Sequence, residues 1–336
     1  MPVATPEQYL AMLDAASEQG YAYAAVNVTS SQTVNAALRG FAEAGADGIL
    51  QITTGGASYL SAGDEAAGAR ALVAFTREVA GSHPVLVALH TDHCPPDHLD
   101  GFLQPLLEES VARRGRGEQP LFNSHMFDGS TLPLEENLRI SRDLLGRCAR
   151  ADVVLEVECG VVGGEEDGVS GQGASQDRLY TTPEDLLRVA EALGTGERGR
   201  YLVAATFGNV HGVYAPGHVR LRPEILGEGQ EALARLHPGA RFQYVFHGSS
   251  GSSRAQIREA VQEGVVKLNL DTDAQYAFTR AIADHVLANR ESVLSIEGGK
   301  RAYDPRSWGR EAEQAMAARV AEACRQLGSA GRSLVG

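Results

Sequence analysis

Three imidazoles stand at the ends of apolar runs in this 336-residue chain. Val85-Leu86-Val87-Ala88 leads through Leu89-His90-Thr91 into Asp92-His93-Cys94. Tyr201 to Phe207 is followed by Val210-His211-Gly212, and Arg241 to Val245 by Phe246-His247-Gly248. Such a run reads as a buried strand whose end delivers a side chain to a shared mouth. Singly, each histidine carries little weight. Together, with carboxylates beside them, His93, His211 and His247 point to a catalytic metal, because three protein ligands with one position open is the usual catalytic zinc arrangement.

The other histidines read as ordinary. His83, His237 and His285 fall in turns or helices and are expected to face solvent. His90 and His125 fall inside strands, where a hydrogen-bonded core residue is the better reading. Cys94 gives Asp92-His93-Cys94 the look of a mixed ligand cluster, but a thiol with no partner cysteine reads better as a packed small side chain.

The acids follow a strand period. In Leu155-Glu156-Val157-Glu158 both glutamates share one face, and their apolar neighbours share the other. The same alternation in Lys267-Leu268-Asn269-Leu270-Asp271 sets Lys267, Asn269 and Asp271 together. A buried unpaired charge costs several kcal/mol, so Lys267 is expected to compensate Glu156, the alternative being water or backbone. Gly55-Gly56-Ala57-Ser58 and Gly248-Ser249-Ser250-Gly251-Ser252 each follow a strand and precede a helix, where backbone N–H groups bind phosphate. Arg306, in the first turn of the last helix, suits either an anion contact or a surface salt bridge. From Gly160 to Tyr180 the chain carries Glu165-Glu166-Asp167 among glycines. This is either a solvated loop or a lid that brings a carboxylate to the site.

Positioning these groups requires a regular scaffold. Thr5-Pro6-Glu7 has the chemistry of a helix start, and the helix is expected to run to about Gly20. Strands are then expected at Tyr23 to Val28, Gly48 to Thr53, Val85 to Asp92, Pro120 to Asp128, Val153 to Glu158, Tyr201 to Phe207, Phe242 to Phe246 and Val265 to Leu270. Helical segments alternate with them, including Ser31 to Ala44, one reaching about Val79, and a last helix from Asp304 to about Leu327. This alternation predicts an α/β chain folded as a (β/α)8 TIM barrel over 1–336 as a single domain, with an extra N-terminal helix and a C-terminal helical extension. Such a barrel places its active groups at the C-terminal strand ends. The ends here carry Asn27, Thr53, Asp92 with His93, Asp128, Glu158, His211, His247, and Asn269 with Asp271.

Bulk properties narrow the partners. The net charge of −13 argues against nucleic acid and against an anionic membrane surface. An anionic substrate would have to be attracted locally. The four cysteines form no CxxC pair and are expected to be reduced thiols of a cytoplasmic protein. The N-terminus shows no signal-peptide pattern, and no apolar run approaches a membrane span.

Six motifs resemble the class II, zinc-dependent fructose-bisphosphate aldolases, most closely the branch typified by actinobacterial enzymes. They are Thr91-Asp92-His93-Cys94, Ser124-His125-Met126, Gly163-Gly164-Glu165-Glu166-Asp167-Gly168, Phe207-Gly208-Asn209-Val210-His211-Gly212-Val213-Tyr214, Phe246-His247-Gly248 and Asn269-Leu270-Asp271-Thr272-Asp273. They cover almost the whole chain in order. The resemblance implies a lyase of glycolysis and gluconeogenesis that reversibly cleaves D-fructose 1,6-bisphosphate to dihydroxyacetone phosphate and D-glyceraldehyde 3-phosphate through an ene-diolate. It implies His93, His211 and His247 as zinc ligands, with Asp128 and Glu158 at a second, alternative metal position. Asp92 would act on the aldehyde oxygen, Glu166 would move the proton at the ketose carbon, and Asn269 would hold the ene-diolate.

The substrate contacts implied are Gly212, Gly248, Ser250 and Asn269 on the dihydroxyacetone-phosphate side, where Na+ or K+ can also sit. Asp271 and Thr272 belong to the same motif. Asn27, Thr53, Lys300 and Arg306 match the other phosphate site. The family further implies a homodimer or homotetramer. Ser249, Ala215 and Thr53 depart from the family pattern, which bears on substrate affinity. The alternatives are a tagatose-bisphosphate or other ketose-bisphosphate aldolase, and less favoured, a barrel metallohydrolase.

Overall fold

The computed structural model describes residues 3–160, 162, 165–166, 169–170, 179–210 and 220–335, with the backbone alone at 165–166, 169–170 and 298. Its centre is a closed barrel of eight parallel strands. These are β1 (Tyr23–Asn27), β2 (Gly48–Ile52), β3 (Val87–Thr91), β4 (Ser124–Phe127), β5 (Val154–Cys159), β6 (Tyr201–Ala205), β7 (Tyr244–Phe246) and β8 (Val265–Leu270). β1 closes the ring by pairing with both β2 and β8, Tyr23 lying opposite Lys267 and Ala25 opposite Asn269. The expected (β/α)8 barrel is therefore the fold.

The period of two divides the apolar residues into two cores. Outward-facing Val26, Leu50, Leu89, Leu155, Val203 and Phe246 pack against the surrounding helices. Inward-facing Tyr23, Ala25, Ile49, Ala88, Val154, Leu202 and Val245 fill the lower barrel. That inner core is completed from below by helix α1 (Pro6–Gln19), which inserts Tyr9, Met12, Leu13 and Ala16. Its start is fixed by a capping box: the Thr5 hydroxyl accepts from the Gln8 backbone while the Gln8 side chain accepts from the Thr5 backbone. The N-terminal helix is thus a plug that gives the barrel an apolar floor.

Helix α2 (Ser31–Ala44) begins and ends where the sequence places it, and packs against the long last helix, Pro305–Leu327. A side chain at Gly40 would meet Ala317 O at 2.6 Å, so this crossing needs glycine. The chain end is held by Asp47, which accepts from the backbones of Leu86 and Leu334. No helix among the described residues is long and apolar enough to cross a membrane.

Some boundaries differ from expectation. Val85 and Leu86 are buried, yet the β3 ladder begins at Val87, because Leu86 N–H is taken by the Asp47 carboxylate. The segment reaching Val79 is two helices, α3 (Thr54–Ser61) and α4 (Glu65–Val79). Gly63, at φ 125°, turns the chain there and Asp64 caps the second helix. His285 is not simply solvent-facing: its ring is tucked against Ala302 O at 2.9 Å and Glu311 at 3.0 Å. All four cysteines are free and buried. Cys94 is packed, as expected of a small apolar side chain.

His125 faces the helices, fully buried, with Nδ1 2.7 Å from Thr91 Oγ1 and its ring against Phe122. Burial pushes its pKa down to about 3. An unfolded histidine takes up its proton below about pH 6.5, whereas this one stays neutral. Stability from His125 is therefore present above that pH and is lost as pH falls toward 3. Unfolding free energies of His125→Asn from urea titrations between pH 6 and 4 should fall less steeply than the parent's, by about 1.4 kcal/mol per pH unit.

Candidate active site

The upper barrel interior is polar, and period two puts it there. Below the rim lie Gln51, His90, Ser124, Glu156 and Lys267, all fully buried. Above them, at the strand ends, are Asn27, Thr53, Asp92, His93, Asp128, Glu158, His247 and Asn269, each less than a tenth exposed. The structure thus buries these eight groups at the strand ends, whereas Asp271, Lys300 and Arg306 are not among them. His211, Gly212 and Ala215 lie outside the described residues. Glu166 is described only by its backbone, in a short antiparallel pair with Val169.

Asp92 is held from three sides. Its Oδ2 accepts from Asn27 Nδ2 at 3.0 Å and Gln51 Nε2 at 2.8 Å, and its Oδ1 accepts from Asn269 Nδ2 at 3.1 Å. Burial works to raise its pKa, but His93, Lys267 and His247 outweigh it and hold the carboxyl below its ordinary range. Asn269 faces this way because Lys267 Nζ donates to Asn269 Oδ1 at 2.8 Å. A lysine ammonium only donates, so it fixes which end of the amide points at Asp92.

The next residue turns sharply. His93 has φ 36°, in the left-handed region that non-glycine residues rarely adopt. Such backbone concentrates at functional sites and costs roughly 1–3 kcal/mol. Its Nδ1 lies 2.9 Å from Asp128 Oδ2 and 3.8 Å from Glu158 Oε2. Burial raises the Asp128 pKa, but hydrogen bonds and charge at His93, with Ser130, bring it down to about 2. His247 is backed in the same way: its Nε2 lies 2.7 Å from Glu156 Oε1. The inner nitrogens, His93 Nε2 and His247 Nδ1, then face each other at 2.9 Å.

That arrangement fits a metal. If the ring nitrogen beside each carboxylate carries the proton and donates it in a hydrogen bond, both inner nitrogens turn lone pairs toward the same space, where a cation can be held. Asp92, His93 and His247 have donor atoms within 4.8 Å of one another, and so do His93, Asp128 and Glu158. His90, Asp92 and Glu156 meet the same distance test. There Lys267 already supplies the positive charge, 2.9 Å from Glu156 Oε2, so a second cation is disfavoured.

The loop after β7 has the makings of a phosphate site. Gly248 has φ 59° and Ser250 is buried. Ser249 Oγ donates to Asn269 O at 3.1 Å, fastening the loop to β8. Thr53 caps α3, its hydroxyl accepting from Gly56 N at 3.0 Å. Asp271 and Thr272 stand half-buried at the start of the helix Thr272–Ala288. Lys300 and Arg306 lie on the exterior. Arg306 makes a two-pronged salt bridge to Asp304, which was one of its two readings.

Two features are visible only in three dimensions. Gln51 orients Asp92, and its position two residues before Thr53 was the available signal. Tyr9, on the plug helix, accepts from Ser124 Oγ at 3.2 Å, and Ser124 meets His90 Nδ1 at 2.8 Å. No local pattern links residues so distant in sequence.

Comparison with known proteins gives the family. The family model described as class II fructose-bisphosphate aldolase matches residues 7–332. The fructose-bisphosphate aldolase of Mycobacterium leprae is 53% identical, the match covering 99% of each chain. That of Streptomyces galbus is 56% identical, covering 99% of this chain and 100% of that one. Among solved structures, the fructose-bisphosphate aldolase of Campylobacter jejuni superposes with a TM-score of 0.85 at 34% identity, over 98% of this chain and 97% of that one. With its barrel, its paired imidazoles and this likeness along nearly its full length, the chain belongs to the class II fructose-bisphosphate aldolases.

Proposed function

We propose that this protein reversibly cleaves D-fructose 1,6-bisphosphate into dihydroxyacetone phosphate and D-glyceraldehyde 3-phosphate, using zinc. The observation that carries the reading is the facing pair of imidazoles, His93 and His247, each backed by its own carboxylate and flanked by Asp92. His211 completes the ligand set by its match to the family motif. The metal, when bound, acts as a Lewis acid on the ketose carbonyl. Asp128 and Glu158 are assigned to a second metal position, and Na+ or K+ to the phosphate side of the mouth.

Cleavage requires the C4 hydroxyl to lose its proton as the C3–C4 bond breaks. Asp92, ionised by its surroundings, takes that proton, and in condensation returns it to the aldehyde oxygen. The electron pair left on the three-carbon fragment is held beside the Asn269 amide. Glu166 delivers the proton that carbon then needs; its motif match supports the role. Gly212, Gly248, Ser250, Asp271 and Thr272 serve the dihydroxyacetone-phosphate side. Asn27, Thr53, Lys300 and Arg306 serve the other phosphate. Free buried thiols suit the cytoplasm. Exposed Tyr276, Leu287, Leu294 and Ile296 suit a homo-oligomer.

A coupled triose-phosphate assay tests the reaction. Activity should vanish on dialysis against a chelator and return with zinc; chelator-resistant cleavage would contradict the mechanism. Offering tagatose 1,6-bisphosphate beside fructose 1,6-bisphosphate separates the sugar specificities, and a preference for tagatose would overturn the substrate assignment. Glu166→Ala should keep its zinc content and thermal midpoint while losing about 10²–10⁴-fold in kcat, the usual cost of removing a general acid–base group.

A further inference from the structure

We propose that Glu156 and Lys267 are positioning residues of the metal centre: Glu156 accepts a hydrogen bond from Nε2–H of His247 so that Nδ1 faces the metal space, and Lys267 holds Glu156 in place. The inference rests on reading His93 and His247 as ligands.

The backbone alone does not choose between the two nitrogens of His247. It follows a strand of only three residues and precedes Gly248. A half-turn of the ring would put Cδ2 in the place of Nδ1 and Cε1 in the place of Nε2, so that neither nitrogen kept its present neighbour. What selects one orientation is the acceptor on the far side, Glu156 Oε1 at 2.7 Å. An acceptor there also makes the opposite nitrogen a better electron donor, which is how hydrogen-bonded carboxylates behind metal-bound histidines act.

Glu156 is in turn constrained. Its Oε2 lies 2.9 Å from Lys267 Nζ and 3.5 Å from His90 Nε2, with all three residues fully buried. Lys267 does a second job, donating to Asn269 Oδ1 at 2.8 Å. One ammonium therefore sets both the carboxylate behind His247 and the amide that faces Asp92. The register shift between β7 and β8 falls at Val265 and Lys267, where this lysine enters the barrel.

A buried pair of opposite charges can also be read as internal neutralisation only, and the two roles separate experimentally. Removing one member leaves a bare buried charge, whereas replacing both with apolar groups of similar volume is often neutral for stability. Glu156→Leu/Lys267→Met should therefore fold with a metal-free thermal midpoint near the parent's. Its zinc affinity, read by competition with a chromogenic chelator, should fall about 10–100-fold. The Co(II)-loaded variant should also show shifted d–d bands.

Glu156→Gln keeps the shape, gives Lys267 a carbonyl acceptor, and decides the matter if the double variant misfolds; it too should bind zinc more weakly. Folded variants with unchanged affinity and unchanged cobalt spectra would overturn the proposal. A parent protein that takes up no zinc would remove the ligand reading beneath it, and this inference with it.

Discussion

The ion pair between Glu156 and Lys267 lies fully buried, where the barrel has no spare backbone. In a closed parallel sheet the strands satisfy one another's N–H and C=O groups, so an interior side chain must find its partner among other side chains. Below this level the interior is apolar and sealed by α1. Above it, the interior is charged. The pair marks the border. A lone ion at that depth costs several kcal/mol, so each charged group there exists only as part of a balanced set.

The mouth inherits its order from that border. From Lys267 one line runs to Asn269 and on to Asp92, and another to Glu156 and on to His247. Asn27 and Gln51, on the two strands between those of Asn269 and Asp92, close the first line. Asp92, Asn269 and His247 are therefore each supported by a second residue that is itself packed. Fixed dipoles and donors of this kind act without reorganising as charge develops in a reaction. His93 is the exception in its backbone, held in a left-handed turn by the contact of its imidazole with Asp128.

Much of this was legible in the sequence because strands repeat every two residues. Alternation alone set Glu156 and Glu158 on one face, set Lys267 beside Asn269, and allowed the pairing of Lys267 with Glu156 to be anticipated. The closed barrel followed from eight such strands alternating with helices. What local pattern could not supply was contact between residues far apart in the chain. Gln51 reaches across to Asp92, and Tyr9 reaches Ser124 and, through it, His90. Helix boundaries failed for a different reason: the break at Gly63 and Asp64 depends on one glycine conformation within an otherwise helical composition.

The departures from the family pattern follow from the same physics. By the resemblance, Thr53 replaces a serine, and its task in the structure is to cap α3 through a hydroxyl, which either residue can do. By the resemblance, Ser249 replaces a glycine, and it adds a bond: its hydroxyl fastens the loop to the backbone of Asn269, the residue that Lys267 already orients. A glycine there would leave the loop free of that tie. The substitution therefore extends the chain of fixed groups by one link, from Lys267 through Asn269 to the loop carrying Gly248 and Ser250. In this protein the buried ion pair, the amide at the mouth and the phosphate-type loop form one connected body.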